Sequence, residues 1–174
     1  ILYAIFLPSS VYPKSLELYT EITKNYPQSI HAKDSYAKIG MIYYNMGKEK
    51  DALTYLKKVV ETYPGTEEAK SALNNIKTIY IESNNVDEFI AYTKKIPEAE
   101  ITQSEQDSIS FQAIENQYMN GDCQRAISGF QNYISKYPDG AFYVVANYYM
   151  ADCLIKNSQK QEALQAYENI IQKP

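Results

Sequence analysis

One histidine, two cysteines and a scatter of carboxylates are the residues of this chain with chemistry to offer. His31 has no serine or cysteine nucleophile pattern to serve, so an acid–base relay through it lacks its other members. It reads as an exposed or capping side chain at the start of a helix. Cys123 and Cys153 lie 30 residues apart, outside any metal-ligand spacing and without a catalytic companion. They are read as two buried or half-buried thiols, with a disulfide as the alternative. Glu67-Glu68 and Glu98-Ala99-Glu100 are acidic pairs. A catalytic carboxylate needs apolar surroundings to raise its pKa, whereas these fall in first turns or loops, where negative charge favours a helix N-terminus. Gly65, Gly121 and Gly140 are isolated, so no phosphate-cradling loop surrounds them. No catalytic residue, cofactor or metal site is expected, and the chain is read as a non-enzyme.

The elements that carry these residues have a strong pattern of their own. From Tyr36 to Tyr44, and again from Ala52 to Val60, apolar side chains recur three and four residues apart. Gly47 and Lys48 separate the two runs, where the chain must reverse. Each run makes a helix with one apolar stripe, and the pair buries those stripes against each other and against a neighbour of the same kind.

The neighbours follow at a step of 37 residues. Ala52-Leu53 maps onto Phe89-Ile90, Ala126-Ile127 and Ala163-Leu164, and less clearly onto Ser15-Leu16. Gly47 maps onto Ser10, Asn84, Gly121 and Ser158. Tyr63-Pro64 maps onto Tyr26-Pro27 and Tyr137-Pro138. A period of this size predicts a solenoid of stacked helix pairs.

Tyr36, Ile39, Gly40, Tyr43, Ala52, Leu56 and Pro64 stand where the tetratricopeptide repeat has its signature residues, and the chain resembles that family over nearly its whole length. The repeat at 104–140 keeps Gly121, Ala126, Phe130 and Pro138 but has Ile114 in place of the first-helix glycine. The repeat at 67–103 departs furthest, with Lys77 for glycine, Phe89 for alanine and an early Pro97. The family period is about 34 residues, so the units here are longer, and the extra length follows Tyr-Pro. That variant is similar to the repeats of bacterial cell-envelope proteins. The resemblance implies an all-α, right-handed superhelix of about four and a half helix pairs. Its repeats would fall at 1–29 (incomplete), 30–66, 67–103, 104–140 and 141–174 of a single domain. The periplasm or cell envelope is implied by the same analogy.

Helix pairs are expected at about 14–25 (preceded by a truncated first helix at Leu2, Ile5 and Phe6), 30–46 with 49–62, 67–83 with 86–96, 104–120 with 123–136, and 140–157 with 160–172. Proline stops them after Tyr26, Tyr63 and Tyr137. Asp122 and Asp139 are candidate N-caps.

The resemblance further implies a concave groove lined by the first helices, which binds a protein or peptide. Its positions here include Met41, Tyr44, Asn74, Phe111, Tyr118, Tyr148 and Ile155. Asn74 and Asn75 match part of the clamp by which some members hold a C-terminal carboxylate, but the matching basic residues are missing and that mode is rejected. Apolar anchors suit the lining better. The alternative for each aromatic is packing between adjacent repeats.

Composition narrows the partners. Seventeen basic and 21 acidic residues are well mixed and net to −4, which leaves no basic stripe for nucleic acid or a membrane surface. Tyrosine, at 18 copies with no tryptophan, fills thin helical layers while its hydroxyl reaches water. The chain lacks an initial Met and opens within a repeat, so it is read as a fragment of a larger, bacterial protein. Its exposed terminal faces would then permit self-association. The leading reading is a scaffold or adaptor, and a structural spacer is the alternative.

Overall fold

The computed structural model describes residues 12–97 and 99–173. Ser10, Glu98 and the expected remnant at Leu2, Ile5 and Phe6 lie outside the described residues. Those residues form an all-α fold of consecutive helices: α1 (Tyr12–Asn25), α2 (Ala32–Asn45), α3 (Glu49–Thr62), α4 (Glu67–Glu82), α5 (Val86–Thr93), α6 (Gln103–Met119), α7 (Cys123–Lys136), α8 (Tyr143–Lys156) and α9 (Lys160–Ile171). The chain divides into two compact units, one through Ile79 and one from Tyr80, so the division falls within α4.

The 37-residue period is written into the backbone. Gly47, Asn84, Gly121 and Ser158 have φ of +70°, +55°, +78° and +63°, each in the turn between the two helices of a pair. Glycine adopts this left-handed conformation freely and asparagine tolerates it. Ser158 takes the same conformation without glycine's freedom. Helices α1, α3 and α7 each stop one residue before Tyr-Pro, because a proline disfavours helical geometry at the residue preceding it.

In the first unit, α2 packs on α1 and on α3. Ala52, Leu56, Val59 and Val60 of α3 are buried at intervals of one helical turn against Tyr36, Ile39 and Ile42 of α2. Gly40 permits the close approach, since a Cβ there would stand 2.7 Å from Leu56 Cγ. In the second unit, α7 packs against α6 and α8, and α8 against α9. Here the small residue has changed sides. Ile114 occupies the position of Gly40, and Gly129 of α7 makes room for it, because a Cβ on Gly129 would meet Ile114 Cγ2 at 2.8 Å.

Three expected details differ. Helix α5 ends at Thr93 rather than at Ile96; the Thr93 hydroxyl turns back to the Ile90 carbonyl at 3.1 Å, and Lys94–Ile96 continue as turns. Helix α8 starts at Tyr143 rather than near 140, and Asp139 does not cap it. Asp139 pairs with Lys173 at 2.9 Å, while the buried Asp107 of α6 accepts the Ala141 N–H at 2.8 Å and the Tyr133 hydroxyl. Gly140 lets this loop close, since its Cβ would fall 2.9 Å from Asp107 Oδ1. Asp122 does cap α7, accepting from Arg125 N at 3.1 Å. Finally, Cys123 and Cys153 are joined in a disulfide with Cα atoms 5.1 Å apart. The thiol reading is corrected: α7 and α8 are neighbours in the fold, and that brings together residues far apart in the chain.

Candidate interaction surface on α6 and α8

Helix α8 has two faces. Ala146, Met150, Ala151, Cys153 and Leu154 are buried, and Val144, Val145, Tyr148 and Ile155 project from the other side. Tyr148 is 54% exposed and Ile155 48%, although both are large and apolar. The facing edge of α6 presents Ser108, Gln112, Glu115 and Met119, spaced by one helical turn. Between the two runs an open cleft of about 460 Å³, lined by Ser108, Phe111, Gln112, Glu115, Phe142 and Val145, has walls that are mostly apolar.

Stacked aromatic rings run behind this surface. Phe142 lies on Phe111 at 4.5 Å and 9°, Phe111 beside Tyr149 at 6.3 Å and 21°, and Tyr149 on Tyr118 at 4.3 Å and 14°. Such near-parallel pairs fix ring positions beyond what area burial alone would do. At the Tyr118 end the side chains become polar. The Tyr118 hydroxyl donates to Asp152 at 2.9 Å, Lys156 pairs with Asp152 at 2.7 Å, and Lys156 Nζ sits 5.4 Å from the centre of the Tyr118 ring. Burial, reinforced by the Asp152 carboxylate, pushes the Tyr118 phenol up to about 12. Lys156 is the main reason the Asp152 carboxyl lies below its ordinary value.

The seven groove positions separate into different environments. Phe111 is only 4% exposed and belongs to the core of the second unit. Tyr118 is half-buried, and Tyr148 and Ile155 are open. Met41 and Tyr44 are half-buried on α2 and Asn74 is exposed on α4, all in the first unit. In the second unit Phe111 and Tyr118 both meet Tyr149, whereas Tyr148 and Ile155 stand on the open face of α8, with Tyr148 against Tyr167 of α9. Phe142, Val144 and Val145 are not among the groove positions that the resemblance implies, which begin at Tyr148 on this helix. The spacing of Val144, Tyr148 and Ile155, with Ile155 two turns beyond Tyr148, was the available signal.

Among the described residues no group of His, Cys, Asp and Glu could hold a metal ion. No described helix is long and apolar enough to cross a membrane. His31 is exposed and its side chain makes no cap bond. Glu68 pairs with Lys33 at 3.0 Å and Glu67 with Lys70 at 2.8 Å, which are structural roles at the start of α4.

The tetratricopeptide repeat profile matches residues 34–66, 110–140 and 145–174. The chain belongs to the tetratricopeptide repeat family. The matched segments take in the α2–α3, α6–α7 and α8–α9 hairpins, so the cleft lies between the first helices of two matched repeats. No curated protein matches the sequence. Among solved structures, MamA is similar at 16% identity with a TM-score of 0.45, covering 94% of this chain and 89% of that one. The MamA of AMB-1 is similar at 15% identity with a TM-score of 0.41, covering 95% and 91%. TPR-like repeats described as a kinesin light chain of Podosopora anserina are similar at 14% identity with a TM-score of 0.41, covering 92% and 85%.

Proposed function

We propose that this tetratricopeptide repeat chain is a non-catalytic scaffold or adaptor module that binds a segment of a partner protein on its α6–α8 wall. The observation that carries this reading is the row of large apolar side chains open on α8, flanking a cleft whose apolar floor is Phe111 and Phe142. Apolar surface of this kind is costly in water unless something covers it. A segment with apolar anchors at helical or extended spacing would cover it, and single anchors contribute about 1–3 kcal/mol, so micromolar binding is ordinary for such a module. Met41 and Tyr44 on α2 offer a second, more recessed contact in the first unit. The resemblance to envelope repeats, together with the Cys123–Cys153 disulfide, supports a setting in the bacterial cell envelope.

The test is a peptide-display selection against the whole chain, followed by titration calorimetry. Selected peptides should share apolar anchors and bind Tyr148→Ala and Ile155→Ala at least tenfold more weakly, with melting points unchanged. Peptides that bind both variants like the parent would place the site elsewhere.

A spacer or self-assembly role is favoured by one observation of its own. Leu164 and Ile171 on α9 are 51% and 81% exposed and lie on one face two turns apart. Sedimentation of the parent and of Leu164→Glu would separate the two roles. A concentration-dependent assembly abolished by the substitution supports the spacer, and a monomer supports the adaptor.

A further inference from the structure

Two links join the same two stretches of the second unit. One is non-covalent: Tyr118, at the end of α6, stacks on Tyr149 and donates to Asp152 of α8. The other is covalent: Cys123, the first residue of α7, is bonded to Cys153, the residue after Asp152. Only the short turn through Gly121 separates Tyr118 from Cys123. The aromatic contact therefore lays the α6–α7 turn against α8 and presents one sulfur to the other.

The two sulfurs sit in unlike surroundings. Cys123 is half-buried at the N-terminus of α7, where the helix dipole favours a thiolate and the capping Asp122 carboxylate partly offsets that effect. Cys153 is fully buried beside Leu154 and Ala151 on the core face of α8, where a thiolate has no solvation. We propose that this pair is a staple closed from one side: Cys123 is the entry sulfur for thiol–disulfide exchange, and the closed bond is shielded in the folded chain.

The chemistry balances as follows. The Cys123 thiolate attacks one sulfur of an oxidant disulfide, that of an oxidoreductase or of oxidised glutathione, and expels its other sulfur as a thiolate. Cys153, losing its proton, attacks Cys123 Sγ and expels the remaining oxidant sulfur. The two cysteines lose two protons and two electrons, and the oxidant disulfide becomes a dithiol or two thiols. In reverse, a reductant reaches Cys123 Sγ and must expel the Cys153 thiolate into an apolar core. That leaving group is poor, so the folded staple resists reduction. A chain built in this way belongs to a compartment that supplies an oxidising disulfide. The inference concerns the free chain and stands whether or not the α6–α8 wall binds a partner.

The experiment follows the thiols of the whole chain by alkylation and intact mass, and its amides by hydrogen exchange. After equilibration in a glutathione redox buffer the chain should have lost two hydrogens, and reduction by glutathione should be about 100-fold slower in native buffer than in urea. The reduced chain, and separately Cys123→Ser, should lose amide protection across 118–125 and 150–156 while α2 and α3 keep theirs. Free thiols after equilibration, equal reduction rates with and without urea, or unchanged exchange at those segments would each overturn the proposal.

Discussion

Tyr118 donates its hydroxyl to Asp152 across 2.9 Å, tying the last turn of α6 to α8. The fold favours the neutral phenol, whose pKa rises from 10.0 to about 12. Its stabilising contribution is therefore full below pH 10 and fades as pH climbs toward 12. Asp152 behaves in the opposite sense. Its folded pKa lies below 3.8, so its contribution is present above that pH and is lost as acid protonates the folded carboxylate. Ultraviolet titration of the tyrosines should show a late phase that shrinks in Tyr118→Phe. It should not vanish, because burial and Asp107 raise Tyr133 as well. The same variant keeps the ring stack and should cost about 0.5–1.5 kcal/mol by denaturant melting at neutral pH. A late phase of unchanged amplitude would assign it to other phenols.

The exchange of small and large residues between α6 and α7 predicts a coupled pair. Gly129→Leu overpacks Ile114 and should cost about 1–3 kcal/mol. Ile114→Ala alone leaves a cavity and should cost about 2–5 kcal/mol. Combined, the two should cost less than their sum by on the order of 1 kcal/mol, because each relieves the other. Strict additivity in a urea double-mutant cycle would mean that the two side chains do not meet.

Ala126 is fully buried where α7 meets its neighbours, as Ala52 is in α3. Ala126→Arg forces a long charged side chain into that contact and should cost roughly 2–4 kcal/mol. The expected melting point falls by roughly 4–16 °C. A variant that melts within a degree of the parent would show that the helix surface is misassigned.

Helix α5 has eight residues against 14 in α3. Two helical turns have little stability of their own, and the segment after Thr93 is mainly turn. Hydrogen exchange should find Val86–Thr93 less protected than Ala52–Glu61 in the native chain. Equal protection would mean that the burial of Phe89 and Thr93 outweighs the short length.

What could be read from the sequence was what repeats locally. The turn positions Gly47, Asn84, Gly121 and Ser158 follow from the period, and all four carry a positive φ. Tyr-Pro marks the ends of α1, α3 and α7 because proline acts on its immediate neighbour. Asp122 was legible as a cap for the same reason. The bond between Cys123 and Cys153, and that from Ala141 to Asp107, span 30 and 34 residues and leave no local pattern. The groove positions came from resemblance, which places a residue on a helix without saying whether a neighbour covers it. Phe111 and Tyr148 had equal standing there, and only packing shows that one is in the core and the other open.

Ile114 with Gly129, set against Gly40 with Leu56, has a consequence for how such a chain can be inherited. Each hairpin carries its own complement of bulk, matched between its two strokes. A crossover that joined α2 to α7 would leave Gly129 without the Ile114 side chain that fills the space beside it, while α6 joined to α3 would set Ile114 against Tyr55 and Leu56. Duplication, loss or shuffling of this array is therefore tolerated in whole hairpins and punished in halves. The helical pair, rather than the helix, is the unit on which its ancestry could act.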